Sequence, residues 1–306
     1  MFLVARVLVT GGTGFIGRHI IRLLLDRGDT VVVASRDPAR AEDLFDHAVT
    51  ALDLHRSDGA SRMRFDAVIN LAGESLSSGR WTPDRKRAIF ESRQRGTRDI
   101  VELLRQLSPR PEVLVNASAI GFYGASDSST FTEQTEPERR DFLADVTAMW
   151  EQEANHAAEF GTRVVCARFG MVLGVDGGAL GKMALPYRFY IGGPIGSGRQ
   201  WVSWVHVEDA ARMILWSLDH ANMAGPLNVT APAPVQMQEF GKTLAQIVRV
   251  PHFLPMPAFA LRALLGEMAD LVLTGQRVVP EKALADGFSF RYGVLSAALG
   301  DLLEPY

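Results

Sequence analysis

Residues 8–20 read LVTGGTGFIGRHI, in which an apolar run, a group of glycines and a helical pattern follow one another. Gly11, Gly14 and Gly17 fit the spacing G-x-x-G-x-x-G, and Gly12, Gly14 and Gly17 also fit G-x-G-x-x-G. Between a strand and a helix, such glycines let a pyrophosphate approach the backbone N–H groups at the positive end of the helix. The stretch therefore predicts a dinucleotide-binding turn, the alternative being a tight turn that binds nothing.

The sequence around this turn alternates between short β-branched runs and longer helical patterns. Runs such as TVVVA, VINLA and VLVNA are apolar on both faces, as strands are when helices cover both sides of a sheet. The alternation predicts an α/β fold with a doubly wound parallel sheet. After Met171 the regularity ends. We expect residues 1–173 with about 207–230 to form a nucleotide-binding domain, and 174–206 with 231–306 a smaller substrate-binding lobe.

Composition excludes several classes of protein. The chain has 306 residues, of which 47% are hydrophobic and 22% charged, as in an ordinary folded protein. A net charge of −3 gives no global attraction to nucleic acid or anionic lipid, so we expect neither a nucleic-acid nor a membrane partner. The apolar start reads as a strand rather than a signal peptide, and we expect a cytoplasmic protein. The single cysteine, Cys166, is predicted to be a buried core residue, and the seven histidines lack zinc-site spacing, so no metal is expected.

The end of the second predicted strand decides between two cofactors. TVVVA is followed by Ser35, Arg36, Asp37 and Pro38, and an aspartate before a proline suits the start of the next helix. Ser35 and Arg36, with Arg40, are left to face the adenosine ribose, where a basic residue would accept a 2′-phosphate. The sequence therefore favours NADP over NAD. The alternative is that Arg36 is a solvated cation at the strand end.

Further blocks extend over nearly the whole chain: NLAGE, NASAIGFYG, GRWTPDRKRAIFESR, GGPIGSGRQWVSWVHVEDAA and GEMADLVLTGQRVVP. Together with the glycine turn, they make the sequence resemble the short-chain dehydrogenase/reductase superfamily. The resemblance is to its extended branch, and in particular to atypical members of the NAD(P)-dependent epimerase/dehydratase family, sometimes labelled cell-division-inhibitor-like. It implies a seven-stranded Rossmann domain with the cofactor across the strand ends and a C-terminal substrate-binding lobe.

The resemblance also assigns roles to individual positions. The glycine turn would hold the pyrophosphate, residues 35 and 36 the 2′-phosphate, residues 53 and 54 the adenine edge, residues 71–73 the ribose and pyrophosphate, and residues 117 and 118 the nicotinamide. Arg93 stands where the extended branch usually has an asparagine; it would reach a phosphate or a substrate anion, or else be an exposed helix arginine. The predicted cofactor-binding residues are Gly11, Thr13, Gly14, Phe15, Ile16, Gly17, Ser35, Arg36, Arg40, Asp53, Leu54, Leu71, Ala72, Gly73, Arg93 and Ala117.

The reaction centre of the superfamily departs from its usual pattern here. That centre is a tyrosine with a lysine four residues later, whose ammonium lowers the pKa of the phenol for proton transfer. None of the five tyrosines has such a lysine, and the two positions align with Leu143 and Thr147. The usual serine position holds Ala119, one residue after Ser118. We predict Ser118 and Tyr123 as the proton-transfer residues; the alternatives are a loop anchor or a substrate contact.

Two functions fit these patterns. The first is an NADP-dependent oxidoreductase or epimerase acting on a small polar substrate, such as a nucleotide sugar. The second is a non-catalytic protein that senses NADP(H), which the missing tyrosine–lysine pair favours. We expect a small-molecule substrate, and a homodimer is the candidate assembly. Seven cations between Arg80 and Arg98 form either a solvated helix face or a surface that steers an anionic substrate.

Overall fold

The computed structural model describes residues 5–56, 59–76, 78–138 and 140–303. Its strands are β1 (Arg6–Thr10), β2 (Thr30–Ala34), β3 (Thr50–Leu52), β4 (Ala67–Asn70), β5 (Val113–Ala119), β6 (Thr130–Phe131), β7 (Arg163–Phe169), β8 (Met171–Leu173), β9 (Trp201–Val202), β10 (Trp204–His206), β11 (Gly225–Val229), β12 (Val235–Gln236) and β13 (Arg277–Val278).

The α-helices are α1 (Phe15–Arg27), α2 (Pro38–Leu44), α3 (Pro83–Gln106), α4 (Phe142–Asn155), α5 (Leu180–Arg188), α6 (Val207–Asp219), α7 (Met237–Ile247), α8 (Ala258–Leu265), α9 (Asp270–Leu273), α10 (Glu281–Ala285) and α11 (Leu295–Leu303). Short 3₁₀ turns cover Ala60–Arg62, Ile120–Tyr123, His156–Phe160 and Gly266–Ala269.

Within the described ranges, seven strands form one parallel sheet in the order β11-β7-β5-β4-β1-β2-β3. The order reverses between β1 and β4, and in open α/β sheets ligands bind beyond the strand ends at such a point. The predicted α/β fold with a doubly wound parallel sheet is therefore confirmed. Its strands are apolar because helices cover both faces: α1 and α6 lie on one side, and α3 and α4 contribute to the other.

Two local predictions are confirmed, the start of a helix at Asp37 and the burial of Cys166. Asp37 begins α2, its carboxylate accepting a hydrogen bond from the Arg40 backbone N–H. His206 begins α6 in the same way, with Nδ1 accepting from the N–H of Glu208. Cys166 is buried in β7, and burial raises the pKa of its thiol. Helix α5 lies in the stretch after Met171, where the regular alternation of strands and helices ends.

The second half of the chain supplies a separate apolar cluster. It combines side chains of α5, α7 and α11, among them Leu180, Tyr187, Phe240 and Leu299. The short pairs β9–β12 and β8–β10 lie in the same part of the chain, whereas β13 pairs with β6 and joins the C-terminal segment to the loop after β5. The limits of the two domains stay a prediction. No helix in the described ranges is long and apolar enough to cross a bilayer.

Candidate functional site

The predicted cofactor residues lie together because each group directly follows the end of a parallel strand. Residues 11–17 follow β1, 35–40 follow β2, 53–54 follow β3 and 71–73 follow β4. Ala117 lies near the carboxyl end of β5. In a parallel sheet these ends meet at one edge. The structure therefore brings the predicted residues to a single edge, which is where the superfamily resemblance places its cofactor.

The glycine turn leaves no room for side chains. Gly11 has φ +65°, and a Cβ on it would lie 2.8 Å from the carbonyl carbon of Leu71. A Cβ on Gly17 would lie 2.7 Å from the Cα of Gly12. Gly14 begins α1 without a capping side chain, and the first turn of the helix contains no acidic residue. The first N–H groups of a helix lack internal acceptors, so this helix end suits an anion.

A second glycine-rich loop fixes the start of α1. The ring of Phe15 lies against the backbone of Gly174, Gly177 and Gly178, where added Cβ atoms would come within 2.5 to 3.0 Å of it. Asp176 of the same loop accepts a salt bridge from Arg18 at 3.2 Å. The side chain of Phe15 is therefore packed against this loop, and the group that Phe15 offers to a ligand is its backbone N–H at the start of α1. The spacing of glycines 174, 177 and 178 was the available signal, but it does not reveal the partner ring.

The tip of β2 carries two unengaged cations. Ser35 Oγ accepts from the Asp37 N–H at 3.1 Å and donates to the Asp37 carbonyl at 3.0 Å. Arg36 and Arg40 are exposed, and neither guanidinium has a hydrogen-bond or ion-pair partner among the residues that the structure describes. Nearby, Asp53 accepts from the His55 N–H at 2.9 Å. The tip therefore offers positive charge beside the glycine turn, as a 2′-phosphate requires.

Buried polar side chains hold the turn that follows β4. Thr10 Oγ1 donates to Asn70 Oδ1 at 2.5 Å, and Asn70 Nδ2 donates to Asn116 Oδ1 at 2.6 Å and to Thr97 Oγ1 at 3.1 Å. The Ala72 N–H in turn donates to Thr10 Oγ1 at 3.3 Å. Residues 71–73 are thereby fixed relative to the ends of β1, β4 and β5.

Arg93 reaches the same turn from α3. It is buried, and its Nη1 donates to the carbonyl oxygens of Glu74 at 3.0 Å and Ile89 at 3.1 Å. Its guanidinium carbon lies 4.9 Å from the ring centroid of Trp150. Burial lowers the pKa of Arg93 to about 10, an effect that the carboxylate of Glu74 partly opposes. The alternative of an exposed helix arginine is wrong, because Arg93 packs against the turn that follows β4. Contact with a phosphate or substrate anion stays a prediction.

Cations at the start of α3 and just before it also have partners within the protein. Arg80 donates to the carbonyl oxygens of Ala263 and Leu264, and Lys86 forms an ion pair with Glu267. Arg85 pairs with Glu74 at 3.3 Å. The contacts of Arg80 and Lys86 tie the start of α3 to the end of α8 and the 3₁₀ turn that follows it, so a simple solvated face does not describe this part of the run.

The ends of β5, β7 and β11 hold a buried ionic network. Arg168 forms a bidentate pair with Glu151, at 2.7 and 2.8 Å. Ser118 Oγ donates to the same carboxylate at 2.7 Å. Arg168 Nη1 donates to the hydroxyl of Tyr123 at 2.9 Å, and that hydroxyl donates to Asn228 Oδ1 at 2.8 Å. Both predicted proton-transfer residues therefore have internal partners.

Burial and charge set the properties of this network. Burial raises the pKa of Tyr123, and the neighbouring Arg168 opposes the shift only in part. The pKa of Glu133, whose Oε1 accepts from the Asn228 N–H at 3.0 Å, is also raised by burial. The role of Ser118 and Tyr123 in proton transfer stays a prediction. Sequence reasoning did not find Glu151, Arg168, Glu133 or Asn228, although a cation in the apolar strand VVCARF was a signal that a buried partner exists.

The helix that carries the tyrosine–lysine pair in the superfamily lies where the alignment puts it. Leu143 of α4 lies beside the segment that follows β5, since a Cβ on Gly121 would be 3.2 Å from the Leu143 Cβ. One turn later, Thr147 is buried and its hydroxyl donates to the Leu143 carbonyl at 2.9 Å. Neither position carries an ionisable group. Leu143 instead joins an apolar cluster with Trp81 and residues of the segment after α8.

The sheet order, the glycine turn at its reversal point and the cations beside it define a Rossmann-type nucleotide-binding protein. The model of the NAD dependent epimerase/dehydratase family matches residues 7–229, and the model of a domain of unknown function, DUF1731, matches residues 256–302. The chain belongs to the NAD dependent epimerase/dehydratase family.

Relatives that match nearly the whole of this chain agree with this assignment. The epimerase family protein YfhF of Bacillus subtilis (strain 168) is 44% identical over 297 residues, which is 97% of each chain. The crystal structure of the human epimerase family protein SDR39U1 (isoform 2) with NADPH has a TM-score of 0.88 and 32% identity, covering 98% of this chain and 100% of that one. A nucleoside-diphosphate sugar epimerase from Corynebacterium glutamicum has a TM-score of 0.79 and 27% identity, covering 98% of this chain and 58% of that one. These findings support a nicotinamide dinucleotide as the cofactor.

Proposed function

We propose that the chain is an NADP(H)-dependent oxidoreductase or epimerase of the extended short-chain dehydrogenase type, acting on a small polar substrate. The observation that carries the cofactor choice is that Arg36 and Arg40, at the tip of β2 beside the glycine turn, have no partner within the described part of the chain. A 2′-phosphate would supply the negative charge that they lack. The human relative crystallised with NADPH supports the same choice.

Different residues at the sheet edge bind different parts of the dinucleotide. The N–H groups at the start of α1 bind the pyrophosphate, and Ser35 with Arg36 binds the 2′-phosphate. Asp53 and Leu54 contact the adenine edge, and the turn of residues 71–73 closes over the ribose and pyrophosphate. When bound, the nicotinamide nucleotide supplies the group that donates or accepts a hydride. The name of the Corynebacterium relative supports a nucleotide sugar as the substrate class.

Isothermal titration calorimetry tests the cofactor choice. We expect NADPH to bind more tightly than NADH, and Arg36→Asp to weaken NADPH binding by about 10- to 100-fold, since hydrogen bonds to charged groups contribute roughly 1.5–3 kcal/mol. NADH binding should change little. Arg95→Asp, on the exposed face of α3, is the matched control and should leave both affinities unchanged. Equal loss of NADPH and NADH binding in the Arg36 variant would contradict the assignment.

A second candidate is a protein that senses NADP(H) without turnover. The observation that favours it is the internal bonding of the Ser118 and Tyr123 hydroxyls, together with Leu143 in place of the superfamily tyrosine. Two assays distinguish the two functions: absorbance at 340 nm with NADPH and a panel of carbonyl compounds detects net hydride transfer, and NMR of nucleotide sugars incubated with NADP⁺ detects epimerisation, which leaves the absorbance unchanged. Net oxidation of NADPH or formation of an epimer supports the enzyme, whereas tight NADPH binding with neither reaction across both panels supports the sensor.

A further inference from the structure

Large apolar side chains are exposed together in the second half of the chain. Phe189 and Tyr190, directly after α5, are 67% and 64% exposed, and Phe259 of α8 is 77% exposed. Helix α8 reads AFALRALL and contains no buried residue. Monomeric proteins rarely expose such a group of side chains without a partner. We call the surface formed by Phe189, Tyr190, Ile191, Phe253, Leu254 and Phe259 the apolar face.

Backbone hydrogen bonds join the two segments that form the apolar face. The N–H groups of Phe253 and Leu254 donate to the Gly192 carbonyl at 3.1 and 3.2 Å. The Met256 N–H donates to the Pro194 carbonyl at 2.8 Å, and α8 begins two residues later. The two segments are therefore neighbours in space, although they are some 60 positions apart in the sequence.

The backbone at Tyr190 also points to a partner. Tyr190 has φ +59°, a conformation that is unfavourable for a residue with a Cβ. Burial of the ring does not compensate, since most of the side chain is exposed. Strained backbone that presents an exposed aromatic side chain is typical of a binding surface rather than of a packed core.

Positive charges predominate in the two stretches of sequence that contain the apolar face. Residues 181–207 contain three lysines or arginines and no aspartate or glutamate, and residues 240–266 have the same composition, although the whole chain carries a net charge of −3. Lys242, Arg249 and His252 line one surface groove. The carboxylates that follow α8 are paired, Glu267 with Lys86 and Asp270 with Arg262. The two stretches that contain the apolar face therefore carry net positive charge in an acidic protein, with Lys242 and Arg249 in the groove that His252 shares with the face.

We propose that the apolar face binds peripherally to an anionic membrane surface. Its aromatic and aliphatic side chains enter the boundary between headgroups and acyl chains, and the surrounding cations contact lipid phosphates. A second copy of this chain fits less well, because a two-fold interface would bring the same positive surroundings together. The proposal replaces the expectation, based on net charge alone, that the protein has no membrane partner.

Co-sedimentation with vesicles tests this proposal on the full chain without any nucleotide. We expect binding to vesicles of phosphatidylcholine with phosphatidylglycerol, little binding to phosphatidylcholine alone, and weaker binding as salt is added. Lys242→Gln with Arg249→Gln should weaken binding by about 25-fold, roughly fivefold for each lost cation. Phe189→Ser with Phe259→Ser should weaken it at least tenfold. Val294→Ser, which replaces an apolar side chain 62% exposed outside the apolar face, is the matched control and should have no effect.

Three results would overturn the proposal: equal binding to neutral and anionic vesicles, unchanged binding of the Phe189/Phe259 variant, or a dimer in light scattering that this variant dissociates. The last result would assign the apolar face to a second copy of the chain. The substituted side chains are exposed, and circular dichroism verifies that the variants fold. Arg36→Asp should keep full vesicle binding, so failure of the cofactor assignment and failure of the membrane proposal are distinguishable.

Discussion

The two halves of the sheet edge differ in whether their polar groups have partners within the protein. At the ends of β1 and β2, the glycine turn keeps backbone N–H groups bare and Arg36 and Arg40 have no partner among the described residues. At the ends of β5, β7 and β11, Glu151, Arg168 and Tyr123 are buried and bonded to one another. The first half leaves hydrogen-bonding capacity for a ligand, whereas the second has used much of its own capacity inside the protein.

The contrast indicates which part of the edge is open to a ligand. Unengaged charge is tolerated only where water or a ligand can reach it, so an exposed cation beside a glycine turn marks a binding surface. Buried charge survives only with a partner, so the Glu151–Arg168 pair marks a structural element. The cofactor end of the edge therefore has cations and N–H groups without partners among the described residues, whereas the polar groups at the other end are bonded to one another.

The largest expected effect is on the buried pair. Arg168→Met leaves the Glu151 carboxylate buried without its bidentate partner, and we expect the free energy of unfolding in urea to fall by about 3–5 kcal/mol. Glu151→Leu combined with Arg168→Met should be more stable than Arg168→Met alone, since no unpaired charge remains.

An exposed ion pair of the same residue types serves as the control. Arg95 pairs with Glu91 on the outer face of α3, and Arg95→Met should change the free energy of unfolding by less than about 1 kcal/mol. If Arg168→Met is as mild as Arg95→Met, the β5–β7–β11 half is solvated and the comparison between the two halves fails.

A smaller effect is expected in the glycine turn. An added Cβ at Gly17 would lie 2.7 Å from the Cα of Gly12, so the turn must shift in Gly17→Ala. We expect a loss of stability of about 1–3 kcal/mol and NADPH binding at least tenfold weaker by calorimetry, because the N–H groups at the start of α1 move with the turn.

Gly96→Ala is the matched control for the glycine turn. A Cβ on Gly96 of α3 meets no atom within 4 Å, and alanine in a helix is more favourable than glycine by roughly 0.5–1 kcal/mol. This variant should therefore be slightly more stable with unchanged NADPH affinity. Unchanged NADPH affinity in Gly17→Ala would place the pyrophosphate elsewhere.

Sequence patterns predicted the half of the edge at β1 and β2, where each feature is formed by residues close together in the sequence. The glycine turn, the Asp37 cap and the cations after β2 each depend on a few consecutive residues, and the structure places them at the edge as expected. The absence of a Tyr-x-x-x-Lys pair could also be read directly, and Leu143 lies where the alignment put it.

The other half depends on pairs that are far apart in the chain. Glu151 and Arg168 come from α4 and β7, and Asn228 meets Tyr123 across 105 positions. No periodicity in a single sequence reports such contacts. Arg93 is a further example. Its place in a helix could be predicted from the sequence, but its burial against the turn after β4 follows from tertiary packing.

The smallest expected effect is that of removing the Tyr123 hydroxyl, which tests whether this group stabilises the fold or transfers a proton. Tyr123→Phe removes the hydroxyl between Arg168 and Asn228, and we expect the free energy of unfolding at neutral pH to fall by about 1–2 kcal/mol. Because burial raises the pKa of Tyr123 in the folded protein, its contribution to stability is complete below the unfolded value of 10 and is lost as the pH rises further. The difference between wild type and variant should therefore shrink in urea titrations above pH 10. A hundredfold loss of a confirmed turnover, with unchanged stability and no dependence on alkaline pH, would instead return Tyr123 to proton transfer and make the two halves of the edge parts of one working site.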